Sequence, residues 1–227
     1  MEPAASTAGP PPAPSFTGPE FMRRARERLN LEVPAALDDL NATAVRGDLD
    51  LDDELWKKAG VKAVKPAAVL VPVVERTEPM VLLTLRTPDL KSHSGQIAFP
   101  GGKIDPADAS PLDAALREAE EEIGLGRGLV DPIGYLDLYL TFSGFRILPA
   151  VARVDPNYSL TINPAEVVEA FEVPMAFLME PVNHQRHSRI WKEGIERHYY
   201  AMPFGERYIW GITAGILRNL YERIYER

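Results

Sequence analysis

One short acidic stretch, REAEEEIG at residues 117–124, carries most of the information about the fold and function of this 227-residue chain. On a helix, Glu118, Glu121 and Glu122 stand three and four residues apart, so their carboxylates share one face. Like charges this close lower helix stability unless a cation lies among them, and hard oxygen ligands suit Mg²⁺ or Mn²⁺. We expect Arg117, four residues before Glu121, to pair with it. A solvated acidic helix face is the alternative interpretation.

The residues before this stretch favour a pocket for a metal-bound phosphate. A predicted short strand at Gln96–Phe99 runs into Pro100-Gly101-Gly102-Lys103, where glycines let a carbonyl oxygen approach a metal closely. The sequence Ser110-Pro111-Leu112-Asp113 then provides a cap residue, a proline at the first helical position and an acid at the third. These signals predict a helix that runs to Ile123 and is stopped by Gly124.

The remainder of the chain alternates between strand and helix patterns. Apolar, β-branched runs at Ala67–Glu75 and Met80–Arg86 predict a hairpin. Further strand-like runs are Ile133–Thr141, Phe145–Val154, Val168–Val173, Arg189–Lys192, Arg197–Ala201 and Arg207–Trp210. A last amphipathic helix is predicted over Gly211–Tyr225, with an apolar face of Ile212, Ile216, Leu217, Leu220 and Ile224. Many strands and two substantial helices indicate an α/β or α+β sandwich in one domain.

Composition excludes several classes of protein. The chain has 25 Lys and Arg against 33 Asp and Glu, a net charge of -8, which argues against a general nucleic-acid binder. An anionic small-molecule substrate is still compatible, because a basic patch or a bound metal reverses the field locally. The absence of cysteine excludes disulfides, thiolate metal sites and cysteine nucleophiles. No apolar run approaches the roughly 18 residues of a membrane span, and no secretory signal begins the chain, so we expect a cytoplasmic protein.

The chain is predicted to have three parts. Residues 1–19 are rich in proline and alanine and are expected to be disordered. Residues 20–59 form an N-terminal helical extension, which contains an amphipathic helix at Glu20–Leu31 and an acidic run at Asp48–Glu54 that we interpret as a solvated linker or helix start. Residues 60–227 form the domain that carries the acidic helix.

The segment from Gly102 to Leu125 resembles the Nudix box. That pattern is Gly, five residues, Glu, seven residues, Arg-Glu, an aliphatic and any residue, Glu-Glu, one residue, Gly and an aliphatic. The matching residues are Gly102, Arg117, Glu118, Glu121, Glu122, Gly124 and Leu125. The segment departs from the pattern in having Asp108 for Glu, eight residues before Arg117 and Ala119 for a larger aliphatic. The resemblance implies a Nudix-type α/β/α sandwich around a mixed β-sheet for residues 60–227.

A second motif resembles the coenzyme A diphosphatase branch of the Nudix superfamily. It comprises Leu82–Arg86, Lys91, Gly95 and Phe99–Gly102. Two positions differ, since that branch favours Ser or Ala where Thr87 stands and Arg where Lys91 stands. A weaker resemblance continues to the C-terminal region, so that it covers roughly residues 65–220 in all.

The resemblance implies a Mg²⁺- or Mn²⁺-dependent hydrolase. Its reaction would cleave the diphosphate of coenzyme A into 3′,5′-ADP and 4′-phosphopantetheine, with acyl-CoA and oxidised CoA as further substrates. The implied metal ligands are Glu118, Glu121, Glu122 and the Gly102 carbonyl, and the catalytic candidates are Glu121, Arg117 and Glu166. Glu166, which would arrive from a loop as an additional acid, has the alternative of a plain surface glutamate.

Three residues within the second motif are candidates for substrate binding. Arg86 and Lys91 would bind phosphates, including the 3′-phosphate of coenzyme A, and His93 would line the pocket. Solvated strand-end charges and an ordinary loop histidine are the alternatives. Tyr199, Tyr200 and Tyr208 offer surfaces for stacking on adenine, although packing in a strand core or a dimer is the favoured interpretation.

Two other functions compete with this one. A Nudix hydrolase for ADP-ribose, a dinucleotide or a damaged nucleoside triphosphate would share the metal site and differ in the surrounding loops. A catalytically silent nucleotide-binding module is the third reading, and the intact Arg117, Glu118, Glu121 and Glu122 argue against it. A homodimer is expected by analogy with the family.

Overall fold

A mixed β-sheet of nine strands lies at the centre of the protein. The computed structural model describes residues 16–39, 46–48, 50–51, 65–90, 93–190, 194 and 196–226. The strands are β1 (Arg46–Gly47), β2 (Lys65–Val74), β3 (Met80–Arg86), β4 (Ile97–Ala98), β5 (Gly101–Lys103), β6 (Val130–Tyr135), β7 (Tyr139–Leu140), β8 (Phe145–Val154) and β9 (Val167–Pro174). A second sheet consists of β10 (Gln185–Ile190), β11 (Glu196–Phe204) and β12 (Arg207–Trp210).

The sheet is built on a long parallel pair. Strands β2 and β8 are in register from Lys65 opposite Phe145 to Val74 opposite Val154. Strand β3 is antiparallel to β9 along its length and meets β2 only at its first two residues, which confirms the predicted hairpin between β2 and β3. Most of β2 is buried, as its continuous apolar sequence requires of a central strand covered on both faces.

Helices cover both faces of this sheet. They are α1 (Gly18–Arg28), α2 (Pro111–Ile123), α3 (Met175–Met179) and α4 (Ile212–Tyr221), the last of which continues as a π-helical segment at Glu222–Glu226. Buried side chains of α2 share one apolar cluster with the sheet, whereas those of α1 and α4 share another. The protein is therefore an α/β/α sandwich around a mixed sheet, as predicted. None of the described helices is long and apolar enough to cross a membrane.

Helix α2 begins and ends as predicted. The Ser110 side chain accepts a hydrogen bond from the Asp113 amide at 3.1 Å, and Pro111 occupies the first helical position. Gly124 ends the helix with a φ of 68°, a conformation that glycine adopts without strain. A Cβ there would lie 2.8 Å from the Thr161 amide nitrogen, so close packing of the loop between β8 and β9 also requires glycine.

Several predicted boundaries differ from those observed. The N-terminal helix starts at Gly18, inside the segment expected to be disordered. The Phe16 ring packs edge-on against the Tyr225 ring, with the ring centroids 5.0 Å apart. Residues 1–15 lie outside the described part of the chain. The strand predicted at Ile133–Thr141 is two strands, β6 and β7, which pair with different halves of β8. They separate opposite Pro149, which has no amide hydrogen to donate to a neighbouring strand.

The interpretation of Asp48–Glu54 as a solvated linker or helix start is wrong at its first residue. Gly47 belongs to β1, which pairs in parallel with β7, and this pairing brings Asp48 against the sheet. Asp48 is partly buried and accepts hydrogen bonds from the Tyr139 hydroxyl at 3.1 Å and the Phe142 amide at 2.9 Å. Residues 52–54 lie outside the described residues.

Candidate active site

Arg117 donates hydrogen bonds to several carboxylates of the site. Its Nε and Nη2 donate to the two oxygens of Asp108 at 2.9 and 3.1 Å, so the shorter acid at this position still binds the guanidinium through both oxygens. Its Nη1 donates to Glu118 and to Glu121, each at 3.0 Å, which confirms the predicted pair with Glu121. One arginine therefore holds three acidic side chains in place.

Glu122 is the buried carboxylate of the site. Its side chain is 1% exposed, and one of its oxygens accepts a hydrogen bond from Arg86 Nη1 at 2.8 Å. The other oxygen faces the Gly101 amide at 3.3 Å. Burial raises the pKa of Glu122 to about 7, because desolvation outweighs the attraction of Arg86.

Glu118 fits beneath the glycine loop only because Gly102 has no side chain. A Cβ on Gly102 would lie 2.5 Å from the carboxyl carbon of Glu118. Burial raises the pKa of Glu118, and repulsion from Glu121 and Glu166 adds to the rise. Glu121 is the accessible member of the group, with 53% of its side chain exposed.

The loop that carries Glu166 is docked against the same helix. The Asn163 amide donates to the Glu122 carbonyl at 3.0 Å, and the Thr87 amide donates to the Glu166 carbonyl at 2.9 Å. The Asn163 side chain donates to Glu166 Oε1 at 3.3 Å. These bonds tie the loop to the end of α2 and to the end of β3, and they bring Glu166 close to Glu118.

The residues of this site fit a hard divalent cation. The side-chain donors are carboxylate oxygens, which Mg²⁺ and Mn²⁺ prefer, and the ionised form of Glu122 lacks full compensation for its burial. The space above Glu118 at Gly102 lets a backbone oxygen come near. Within the described residues, no three acidic side chains are close enough together to hold one metal ion. Arg117 pairs with Glu118 and Glu121, and Arg86 pairs with Glu122.

The three substrate-binding candidates have different positions. Arg86 belongs to the carboxylate group through its pair with Glu122, and its side chain is 19% exposed. His93 has a positive φ of 55°, and its Nδ1 lies 2.9 Å from the Gln96 side-chain oxygen. Lys91 lies outside the described residues.

A cavity of about 290 Å³ lies on the α4 side of the sheet. His93 and Gln96 form part of its wall, so it adjoins the strand that leads to the glycine loop. Aromatic rings contribute another part of the wall, from Tyr199, Tyr200 and Trp210. Tyr208 is not part of that wall and is 41% exposed.

Sequence reasoning missed this cavity because its wall comes from distant parts of the chain. Asp48 contributes from the position after β1, and the aromatic residues contribute from β11 and β12. The sequence signals for it are the prediction that His93 lines a pocket and the alternative in which Tyr199 and Tyr200 stack on adenine.

The comparisons with known proteins identify the family. The family model described as the NUDIX domain matches residues 64–192. The Nudix hydrolase NudL of Yersinia enterocolitica is 41% identical over 160 residues, which cover 70% of this chain and 80% of that protein. NudL of Cronobacter sakazakii is 41% identical over 171 residues, 72% of this chain and 84% of that protein. Both relatives carry the name uncharacterized Nudix hydrolase NudL.

The chain therefore belongs to the Nudix family, and it is a hydrolase that acts as a pyrophosphatase. Nudix hydrolases generally use divalent ions such as Mg²⁺ or Mn²⁺, and they act on small nucleotide-diphosphate substrates. Among solved structures, the similar ones include an Ap4A hydrolase from C. elegans, with a TM-score of 0.43, 16% identity and coverage of 51% of this chain and 83% of that one. RenU from M. smegmatis has a TM-score of 0.40 and 22% identity, and it covers 48% of this chain and 69% of that one.

Proposed function

We propose that this protein hydrolyses the diphosphate of coenzyme A, and also of acyl-CoA and oxidised CoA, to 3′,5′-ADP and the corresponding 4′-phosphopantetheine. The observation that carries the proposal is the contact between Arg86 and Glu122 at 2.8 Å. Arg86 belongs to the motif that resembles the coenzyme A diphosphatase branch, and Glu122 belongs to the Nudix box. This contact brings the residues expected to recognise the substrate and those expected to bind the metal into one site.

The dimensions of the cavity on the α4 side of the sheet also support a nucleotide substrate. At about 290 Å³ it is close to the lower end of the range for small-molecule sites. Its aromatic wall suits a flat heteroaromatic base, and its wall includes Gln96, whose carbonyl accepts a hydrogen bond from the Arg86 amide at 3.0 Å. In this proposal the phosphates of the same molecule bind at Arg86 and the carboxylates.

In this proposal the metal ligands are Glu118, Glu121, Glu122 and the Gly102 carbonyl. A divalent cation held there neutralises the diphosphate and polarises the attacking water. Arg117 is a positioning residue, because its guanidinium holds Glu118 and Glu121 at 3.0 Å each.

The proton from the attacking water requires an acceptor that is free to receive it. Glu121 is a candidate because it is the most exposed of the three glutamates. Glu166 is the second candidate, since one of its two oxygens, Oε1, accepts from the Asn163 side chain at 3.3 Å. Separate Glu121→Gln and Glu166→Gln variants, assayed for kcat against pH, assign the acceptor to the residue whose loss removes the acidic limb of the profile.

The direct test incubates the purified protein with about 5 mM Mg²⁺ or Mn²⁺ and separates the products by chromatography. The substrates are CoA, dephospho-CoA, ADP-ribose, NADH and 8-oxo-dGTP. The proposal predicts that CoA is cleaved fastest and yields 3′,5′-ADP. Faster cleavage of another substrate would overturn the assignment to coenzyme A and leave a Nudix hydrolase of different specificity. No cleavage with either metal would favour the nucleotide-binding module.

A matched pair of variants compares the effect on activity of a Nudix-box glutamate, Glu121, with that of a neighbouring glutamate on the same helix. Glu121→Gln should lower turnover at least about 100-fold, because stabilisation by metal-held charge is worth several kcal/mol. Glu120→Gln, one residue earlier on the exposed face of α2, should retain activity because Glu120 contacts only Arg127 at 3.4 Å. Equal activity in the two variants would remove Glu121 from the mechanism.

The three-part division of the chain at residues 19 and 59, the homodimer and the cytoplasmic location stay predictions.

A further inference from the structure

Most of the cavity on the α4 side of the sheet is built from residues outside the match to the NUDIX domain. That match covers residues 64–192, whereas the cavity wall includes residues 46–48, 50 and 51 of the N-terminal extension and residues from β11 to the end of α4. The proposed metal site therefore lies within the match to the family model, and the cavity depends mostly on segments outside that match. Selectivity for the bound group should then depend on those segments.

Asp48 is a hydrogen-bond acceptor that the N-terminal extension brings into the cavity wall. One of its oxygens accepts from the Tyr139 hydroxyl at 3.1 Å, and the other accepts from the Phe142 amide at 2.9 Å. Burial raises the pKa of Asp48, while the bonds from the Phe142 amide and the Tyr139 hydroxyl lower it. In the ionised form that these bonds favour, the carboxylate has about four acceptor positions, so each oxygen keeps capacity for a further donor. The two bonds fix the orientation of the carboxylate, and a ligand meets an acceptor that is already positioned.

The support beneath Asp48 also depends on a glycine. Gly215 of α4 has no Cβ, and a Cβ at this position would overlap the Tyr139 hydroxyl. Because Gly215 has no side chain, α4 packs close to β7 and the Tyr139 hydroxyl still has room to reach Asp48.

Aromatic side chains stand in the same cavity wall. The rings of Tyr199 and Trp210 meet edge to face, with their centroids 5.4 Å apart, and Tyr200 lies beside them in β11. Aromatic faces stack on any flat heteroaromatic base and therefore distinguish bases weakly, whereas hydrogen bonds to the base edge distinguish them well. An acceptor-only carboxylate among these rings supplies that distinction.

We infer that Asp48 determines the base specificity of this enzyme by accepting a hydrogen bond from an exocyclic amino group of the bound base. The ligand class is a nucleotide with an amino-substituted purine, such as adenine. The inference rests on the proposed function only in requiring that a nucleotide occupies the cavity. A base with a carbonyl at the same position, such as hypoxanthine, would set two acceptors against each other and leave Asp48 without a donor from the ligand.

The test compares adenine with hypoxanthine in two assays. Hydrolysis of CoA and of its hypoxanthine analogue gives a ratio of kcat/KM values, and calorimetric titration with adenosine and inosine 3′,5′-bisphosphate gives a ratio of Kd values without turnover. Wild-type protein should favour adenine by about 10-fold or more in both assays, as expected for an unsatisfied buried acceptor. For wild-type protein, equal kcat/KM values for the two substrates and equal Kd values for the two bisphosphates would overturn the inference.

Asp48→Asn should change the sign of this preference or abolish it. The amide oxygen can still accept from the Phe142 amide, which turns the new NH₂ group towards Tyr139 and the ligand. The hydroxyl of Tyr139 can rotate to accept, and the remaining amide hydrogen faces the base as a donor. Asp38→Asn makes the same substitution at an exposed carboxylate of the N-terminal extension that lies outside the cavity wall, and it should leave the adenine preference unchanged. An adenine preference that survives in Asp48→Asn would overturn the inference.

Tyr139→Phe gives a milder second variant, because it removes one hydroxyl and leaves the Asp48 carboxylate in place. It should lower the adenine preference without reversing it, and an unchanged preference would contradict the positioning role of Tyr139. The two assays also separate this inference from the proposed function. Failure to hydrolyse CoA, together with a clear preference for adenosine bisphosphate that Asp48→Asn removes, would refute the proposed substrate and support the role of Asp48.

Discussion

Replacing Glu122 by glutamine tests whether burial of this carboxylate destabilises the protein in the absence of metal. The side chain is 1% exposed, and its pKa is raised from 4.5 to about 7. A folded-state pKa above the unfolded value means that the folded protein binds the proton more tightly, so stability falls as the pH rises from 4.5 through 7. Each pKa unit corresponds to about 1.4 kcal/mol, so the full loss at higher pH is roughly 3 kcal/mol.

Glutamine has nearly the same shape as glutamate and stays neutral at every pH. At pH 4.5 and below, wild-type protein and Glu122→Gln should have similar stability, because both carry an uncharged group beside Arg86. At pH 8 the variant should be more stable by roughly 3 kcal/mol, which corresponds to about 6 to 12 °C in Tm for a chain of this size. Added Mg²⁺ should stabilise wild-type protein at pH 8 and the variant much less.

Thermal unfolding followed by circular dichroism, in buffers with a chelator from pH 4.5 to pH 8, measures this difference. A Tm difference that does not change with pH would refute the claim that burial of the Glu122 charge is costly. So would a wild-type protein that is more stable than the variant at pH 8 without metal.

Other side chains of the site give further predictions. Gly102→Ala should raise the Mg²⁺ concentration for half-maximal activity about 10-fold or more, because the new Cβ would collide with Glu118; an unchanged metal requirement would contradict this. Arg117→Lys should lower kcat about 10-fold or more, since lysine cannot hold several carboxylates with one planar group, and a wild-type kcat would argue against a positioning role. Arg86→Ala should weaken the binding of CoA more than that of dephospho-CoA, because Arg86 is expected to bind the 3′-phosphate. Equal losses of affinity for the two substrates would reject that role. Ser110→Ala should cost about 1 kcal/mol in urea unfolding through loss of the helix cap, whereas no change would show that the cap is dispensable.

The local features of the box were predictable because their signals are close together in sequence. The cap at Ser110, the stop at Gly124 and the pairing of Arg117 with Glu121 each depend on residues within four positions of one another. Helix geometry alone brings such residues together. The strands β3, β8 and β12 also coincide with their predictions, since each is a bounded run of strand-forming residues.

Contacts between distant parts of the chain were not predictable in the same way. The bond between Arg86 and Glu122 joins residues that are 36 positions apart, and the bond between Asp48 and Phe142 joins residues that are 94 apart. An acidic run such as Asp48–Glu54 has the composition of a solvated segment, and only the pairing of β1 with β7 buries its first carboxylate. The cavity depends on such pairings, so its lining had no single sequence signature.

The most direct test of the proposed metal site measures Mn²⁺ binding to the protein by electron paramagnetic resonance, without substrate or turnover. Wild-type protein and Glu120→Gln should bind Mn²⁺ with the same affinity. Glu118→Gln, Glu121→Gln and Glu122→Gln should each weaken binding at least about 10-fold, because each removes a charged oxygen ligand. Equal Mn²⁺ affinity in all five proteins would contradict the assignment of these glutamates to a metal site.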